Sequence, residues 1–153
     1  MTVTFNDALK RNSVLAYGGL SEAVTVPIAQ NTPTFFSHEN FVANSVDLCN
    51  MTFTDNGKFT VLKDCCVEFV GDANLEVSVN NTRVTMELVK NGTEVLVGNY
   101  LDLTSQDNTE SIGANKIMNL EAGDVLEVRA TTNKAVNLSL SALMLSFYGF
   151  VEE

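Results

Sequence analysis

The chain has 153 residues, 45% of them hydrophobic and 18% charged, with a net charge of −10. That length and apolar content fit one domain with a proper core. Nine Lys plus Arg against nineteen Asp plus Glu, with no basic cluster, argue against phosphate-backbone binding and against an anionic membrane surface, so no nucleic acid and no membrane is expected as a partner.

The opening "MTVTFNDALKRNSVLAYGG" holds no long apolar leader segment, and no stretch approaches the roughly 20 apolar residues that span a bilayer. The chain is expected to be soluble and made in a cytosol. "FNDALKRNSVLAYGG" predicts one or two helical turns, capped by Asn6 and stopped at Gly18. So short a helix is not stable alone, and residues 1–23 are read as an N-terminal arm. Residues 24–153 are read as a single domain, since no linker, repeat or low-complexity tract divides them. "EAVTVPIAQ" and "TPTFF" read as short edge strands, because Pro27 and Pro33 cannot donate to a ladder. Tyr17, Phe35, Phe36 and Phe41 add apolar mass. His38 in "FFSHENF" reads as a turn or surface residue.

From residue 46 onward the pattern has a period of two. Cys65, Val67 and Phe69 share one face of a strand. Leu75, Val77 and Val79 share another, as do Val84, Met86 and Leu88. Leu126, Val128 and Ala130 point inward, and so do Leu138, Leu140 and Ala142. Tight reversals are predicted at "DNG" 55–57, "GDAN" 71–74, "NN" 80–81, "KNG" 90–92, "AGD" 122–124 and "TTNK" 131–134. Asn-Gly at 56–57 and 91–92 is the strongest hairpin signal, since both residues tolerate positive φ. In "IMNLEAGDVLEV" Gly123 and Asp124 form a corner between two apolar strands. The segment "LMLSFYGF", 143–150, is apolar on both faces. It is either a central strand buried on both sides or a strand covered by a neighbouring copy.

Cys49, Cys65 and Cys66 are three in number, which argues against a closed disulfide framework. With one histidine they lack the ligand spacing of a zinc site. No Ser-His-acid triad and no phosphate-cradling loop is present. Asp72, Asp102, Asp107 and Glu110 lie in oxygen-rich segments, without the spacing of a dedicated calcium loop. No catalytic residue, metal or cofactor is assigned.

The run "DNGKFTVLKDCCVEFVGDANLEV" resembles the central signature of the tumour necrosis factor-like and complement globular-head jelly rolls. Gly57, Phe59, Thr60 and Phe69 stand at matching steps. "VKNGTEVL", with Gly92, resembles that family's strand–Asn-Gly–strand hairpin. "IMNLEAGDVLEV", with Leu120, Gly123 and Asp124, resembles its leucine–Gly-Asp–strand element. "LSLSALML" stands where the family closes with a core strand. The likeness covers about residues 46–147. It departs at Cys65, where the family has Gly, at Val67, where it has an aromatic, and at Ala142, where Gly is usual.

The resemblance implies an all-β antiparallel jelly-roll sandwich of ten strands that assembles as a homotrimer. Three functions compete on that frame. One is a non-enzymatic virion protein, a capsid decoration or cement protein on the particle exterior, made in the host cytoplasm. Its N-terminal arm would then grip the major capsid protein or another virion protein, with Phe5, Leu9 and Tyr17 as contacts. The second is the receptor-binding knob of a tail or head fibre, recognising glycan or protein through the loop 102–116, with Asp102, Gln106, Asp107 and Asn108. The third is a jelly-roll enzyme or carrier, for which a single histidine is too few metal ligands.

Overall fold

The computed structural model describes residues 11–36, 41–43, 51–54 and 57–150. Alternation of inward apolar and outward polar residues makes most of this chain strand. The strands are β1 (Arg11–Leu20), β2 (Val24–Ile28), β3 (Thr34–Phe35), β4 (Phe41–Ala43), β5 (Met51–Thr54) and β6 (Lys58–Val61). There follow β7 (Cys65–Val77), β8 (Thr82–Lys90), β9 (Glu94–Leu103), β10 (Glu110–Leu120), β11 (Val125–Thr132) and β12 (Val136–Phe150). Among the described residues they form two six-stranded antiparallel sheets, the expected sandwich. Sheet A runs β10-β7-β12-β1-β4, with β2 paired to the first part of β12. Sheet B runs β5-β6-β11-β8-β9, with β3 paired to β11. The strands number twelve rather than ten because the two-residue β3 and three-residue β4 add short pairings.

The core lies between the sheets. Val84, Met86 and Leu88 from β8 and Leu126, Val128 and Ala130 from β11 face it, as the period of two predicts. Phe59 of sheet B meets Phe147 of sheet A with ring centroids 5.0 Å apart, and Phe147 meets Phe69 at 5.3 Å. Such tilted pairs add about 0.5–1.5 kcal/mol each beyond the area they bury.

Five expectations are corrected. Residues 11–20, expected as helical turns within the arm, are a strand: β1 pairs with β12 on one side and β4 on the other. Pairing there satisfies backbone groups that a short isolated helix would leave to water. The arm of residues 1–23 is thus part of the sheet from Arg11 onward, while Asn6, Phe5 and Leu9 lie outside the described residues. "GDAN" is not a turn. It is the middle of β7, paired with β10 and β12 at once, and tertiary pairing overrides its turn propensity. Gly71 and Ala73 face the core there. The segment 102–116 is mostly strand, because β9 continues to Leu103 and β10 begins at Glu110, leaving 104–109 as the connection. Finally, Ala142 does not share a face with Leu138 and Leu140. The register of β12 against β7 shifts between Leu140 and Ala142, and the extra residue moves the inward set to Leu143, Leu145 and Phe147. Val79 also leaves its expected face: it lies past the end of β7 and is 37% exposed.

Candidate interaction surface

The register of sheet A fixes what its outward face presents. Directly opposed residues share a face. Ile117, Glu68 and Tyr148 form one row across β10, β7 and β12. Asn115, Val70 and Ser146 form the next, and Tyr17 of β1 stands opposite Ser146. Gly113, Asp72 and Met144 form a third, and Ser111, Asn74 and Ala142 a fourth. The bulge in β12 is what puts Ala142, Met144 and Tyr148 on this side. Ile117 is 62% exposed and Met144 44%, so large apolar groups face water on a sheet whose other face already fills the core. Cys66 is exposed opposite Asn119 at one end. Cys65 points the other way, and burial, then the neighbouring Cys66, pushes its thiol up and keeps it protonated.

The outward face of sheet B is of another kind. Arg83 donates from Nε and Nη2 to the two carboxylate oxygens of Asp102 at 2.7 and 2.9 Å, and its guanidinium lies 4.3 Å from the centroid of the Tyr100 ring. The hydrogen bonds from Arg83 hold Asp102 below the usual carboxylate range. Arg129 Nε donates to Glu87 at 3.0 Å, and Lys58 stands 4.0 Å from Glu127. These ion pairs cross β6, β8, β9 and β11, exposed at Arg83–Asp102 and half-buried at Arg129–Glu87.

The expected ligand loop is divided by this arrangement. Asp102 sits in β9, engaged by Arg83. Gln106, Asp107 and Asn108 remain in the connection 104–109. There the Gln106 amide donates to Asn80 Oδ1 at 2.6 Å, and the Asp107 amide to Val77 O at 3.1 Å with Asp107 at φ 58°. Asp72, Asp102, Asp107 and Glu110 are spread over β7, β9, the connection and β10. Among the described residues no group of three or more acidic, His or Cys side chains is placed to hold a metal ion.

The signature residues take structural posts. Phe59, Phe69 and Leu120 are core. Gly57, Gly92 and Gly123 have φ of 75°, 78° and 95°, the left-handed region that a side chain disfavours. Asn91, at φ 54°, completes the hairpin turn with Gly92. Asp124 clasps two turns together. Its carboxylate accepts from the Glu121 amide at 2.9 Å and from Asn91 Nδ2 at 3.1 Å, while Asn91 Oδ1 accepts from the Val125 amide at 2.9 Å. Those bonds, the Glu121 amide first, hold Asp124 below its ordinary range. The sequence marks both turns but carries no sign that they meet, so the role of Asn91 becomes visible only in the fold.

At the open side of the sandwich β9 and β10 run next to each other as the outermost strands of their sheets. Val95 and Tyr100 are exposed along β9. Two side chains cross from one sheet to a main-chain carbonyl of the other: Asn99 Nδ2 donates to Gly113 O at 2.8 Å, and Lys116 Nζ to Leu96 O at 2.7 Å.

No protein-family model and no curated protein matches the chain. Solved structures do. Eiger TNF from S. frugiperda superposes with a TM-score of 0.70 at 17% identity, over 93% of this chain and 96% of that one. Murine APRIL at pH 5.0 gives 0.59 at 17%, over 88% and 98%. PRD1 vertex protein P5 gives 0.53 at 13%, over 88% of this chain and 73% of that one. Identities this low speak to architecture alone, and the architecture they share with this chain is the tumour necrosis factor-like jelly roll.

Proposed function

We propose that this chain is a non-enzymatic structural protein of a virion, a homotrimer that decorates or cements the particle exterior. It is made in the host cytoplasm and held on the virion surface by the major capsid protein or another virion protein. The observation that carries the reading is the outward face of sheet A, where Ile117 and Met144 are exposed beside Val70 and Tyr148. Large apolar groups exposed on one sheet face, set among polar neighbours such as Glu68 and Asp72, support its use as a contact surface. A ring of three needs that face to meet a different surface of the next copy. Val95 and Tyr100, exposed along β9, supply apolar groups for it. Tumour necrosis factor-like folds typically form homotrimers and are typically non-enzymatic. The likeness to the PRD1 vertex protein supports the virion part of the reading.

A second reading, the receptor-binding knob, is favoured by the connection 104–109, whose backbone is pinned by Asn80 and Val77 while its side chains stay exposed. Quantitative mass spectrometry of purified particles separates the two. Hundreds of copies per particle support a decoration protein, and a few copies support a knob or vertex component. Absence from particles overturns both.

A further inference from the structure

The sandwich is not filled at its open side. Between β9 and β10 a cavity of about 50 Å³ reaches inward to Phe69, Met86, Leu88, Leu143 and Leu145. Its mouth is formed by residues 97–99 of β9 and 112–114 of β10. The deep walls are apolar. Among the described residues no buried side-chain nitrogen or oxygen lacks a partner. A water needs two to four polar partners to stay in such a hollow, and the deep walls offer none, so the natural occupant is apolar.

Size narrows the choice. A cavity of roughly 150 Å³ accepts a benzene ring, and this one is too small for a ring. A linear chain end is narrower. The mouth adds a second constraint, because it is spanned by side chains rather than by a backbone ladder. Asn99 reaches Gly113 O at the mouth, and Lys116 reaches Leu96 O three residues further along both strands. Exposed side chains change rotamer quickly, on picosecond to nanosecond scales. The mouth can therefore open without breaking a strand pair, and an amide and an ammonium then stand at its rim.

We propose that this hollow binds the tip of a linear aliphatic chain, which enters between β9 and β10 and leaves an oxygen-bearing head group at Asn99 and Lys116. The site lies within one chain and does not rest on self-association. The test uses the full chain with labelled methyl groups, titrated by NMR with xenon, 1-hexanol and hexanoate. Saturable shifts at Leu88, Val97, Leu143 and Leu145 are expected with all three probes. Ala73 lines the hollow and is 3% exposed, so Ala73→Val should weaken each probe tenfold or more. Val97→Phe, at the half-exposed mouth, should do the same if the first variant fails to fold. Hexanoate should bind more tightly than hexanol, and Lys116→Met should remove that preference. The titration is repeated on Ile117→Glu, so that a mouth covered in an assembled ring is still reached. Binding of xenon without hexanol in both proteins would mean a sealed void and overturn the proposal. Scattered, non-saturable shifts would overturn it too, as would binding unaffected by the filling variants.

Discussion

Asp124 and Gly71 are single positions on which much of the packing depends. Asp124 is only 9% exposed, and three hydrogen bonds that join two turns converge on it and its neighbour Asn91. Asp124→Ala removes two charged-acceptor hydrogen bonds and strands the Glu121 amide, so it should cost about 1.5–3 kcal/mol in urea unfolding. The effect depends on pH. The folded chain holds the Asp124 carboxylate charged to lower pH than the ordinary value of 3.8 allows in the unfolded chain. Its contribution is therefore complete above that value and is lost as pH falls through the folded one. Wild type and Asp124→Ala should converge in stability in acid; a constant gap down to pH 2 would refute the assignment. Gly71 is needed for space. A Cβ there would lie 2.7 Å from Phe69 Cζ, so Gly71→Ala must push the ring that packs on Phe147. The expected loss is about 1–3 kcal/mol, read from the thermal midpoint. Asp124 is marked in the sequence as a corner residue, though its bond to Asn91 is not; Gly71 reads only as a turn glycine, and its closeness to the ring two residues earlier follows only from the strand.

Among the elements, those with a clean period of two were legible. β8 and β11 present the faces that alternation predicts, and the Asn-Gly hairpin at 91–92 and the Gly-Asp corner at 123–124 stand where the turn residues put them. The failures share a cause, which is long-range pairing. β7 runs through "GDAN" because two neighbours hold it, and β1 is a strand because β12 and β4 flank it. The bulge in β12 defeats period counting outright, since one extra residue exchanges inside and outside for everything after it. The proposed capsid contacts must be tested with this in mind. Removing residues 1–20 deletes β1 and should leave an insoluble or unfolded chain. Removing residues 1–10, which spares β1, should abolish attachment to particles. Attachment undiminished by the shorter deletion would rule out Phe5 and Leu9 as the grip.

For the whole molecule, the two sheets divide the surface by chemistry. Sheet B faces outward with ion pairs, and sheet A with Ile117, Met144, Val70 and Tyr148 set among Glu68, Asp72 and Asn115. The candidate surface was only partly legible, because alternation identifies an outward residue but the register decides which outward residues stand together. Light scattering of the purified chain should give the mass of three copies. Ile117→Glu combined with Met144→Lys should give a folded monomer, whereas a trimer that survives both changes would place the contact elsewhere. The bridges at the open side bear on a different matter. A bare strand edge is a template on which further chains can extend a sheet without limit. Asn99 and Lys116 occupy the carbonyls of Gly113 and Leu96, two sites such growth would use. Growth of either sheet into a fibre is thereby hindered at this edge, and association is left to the faces of the sheets.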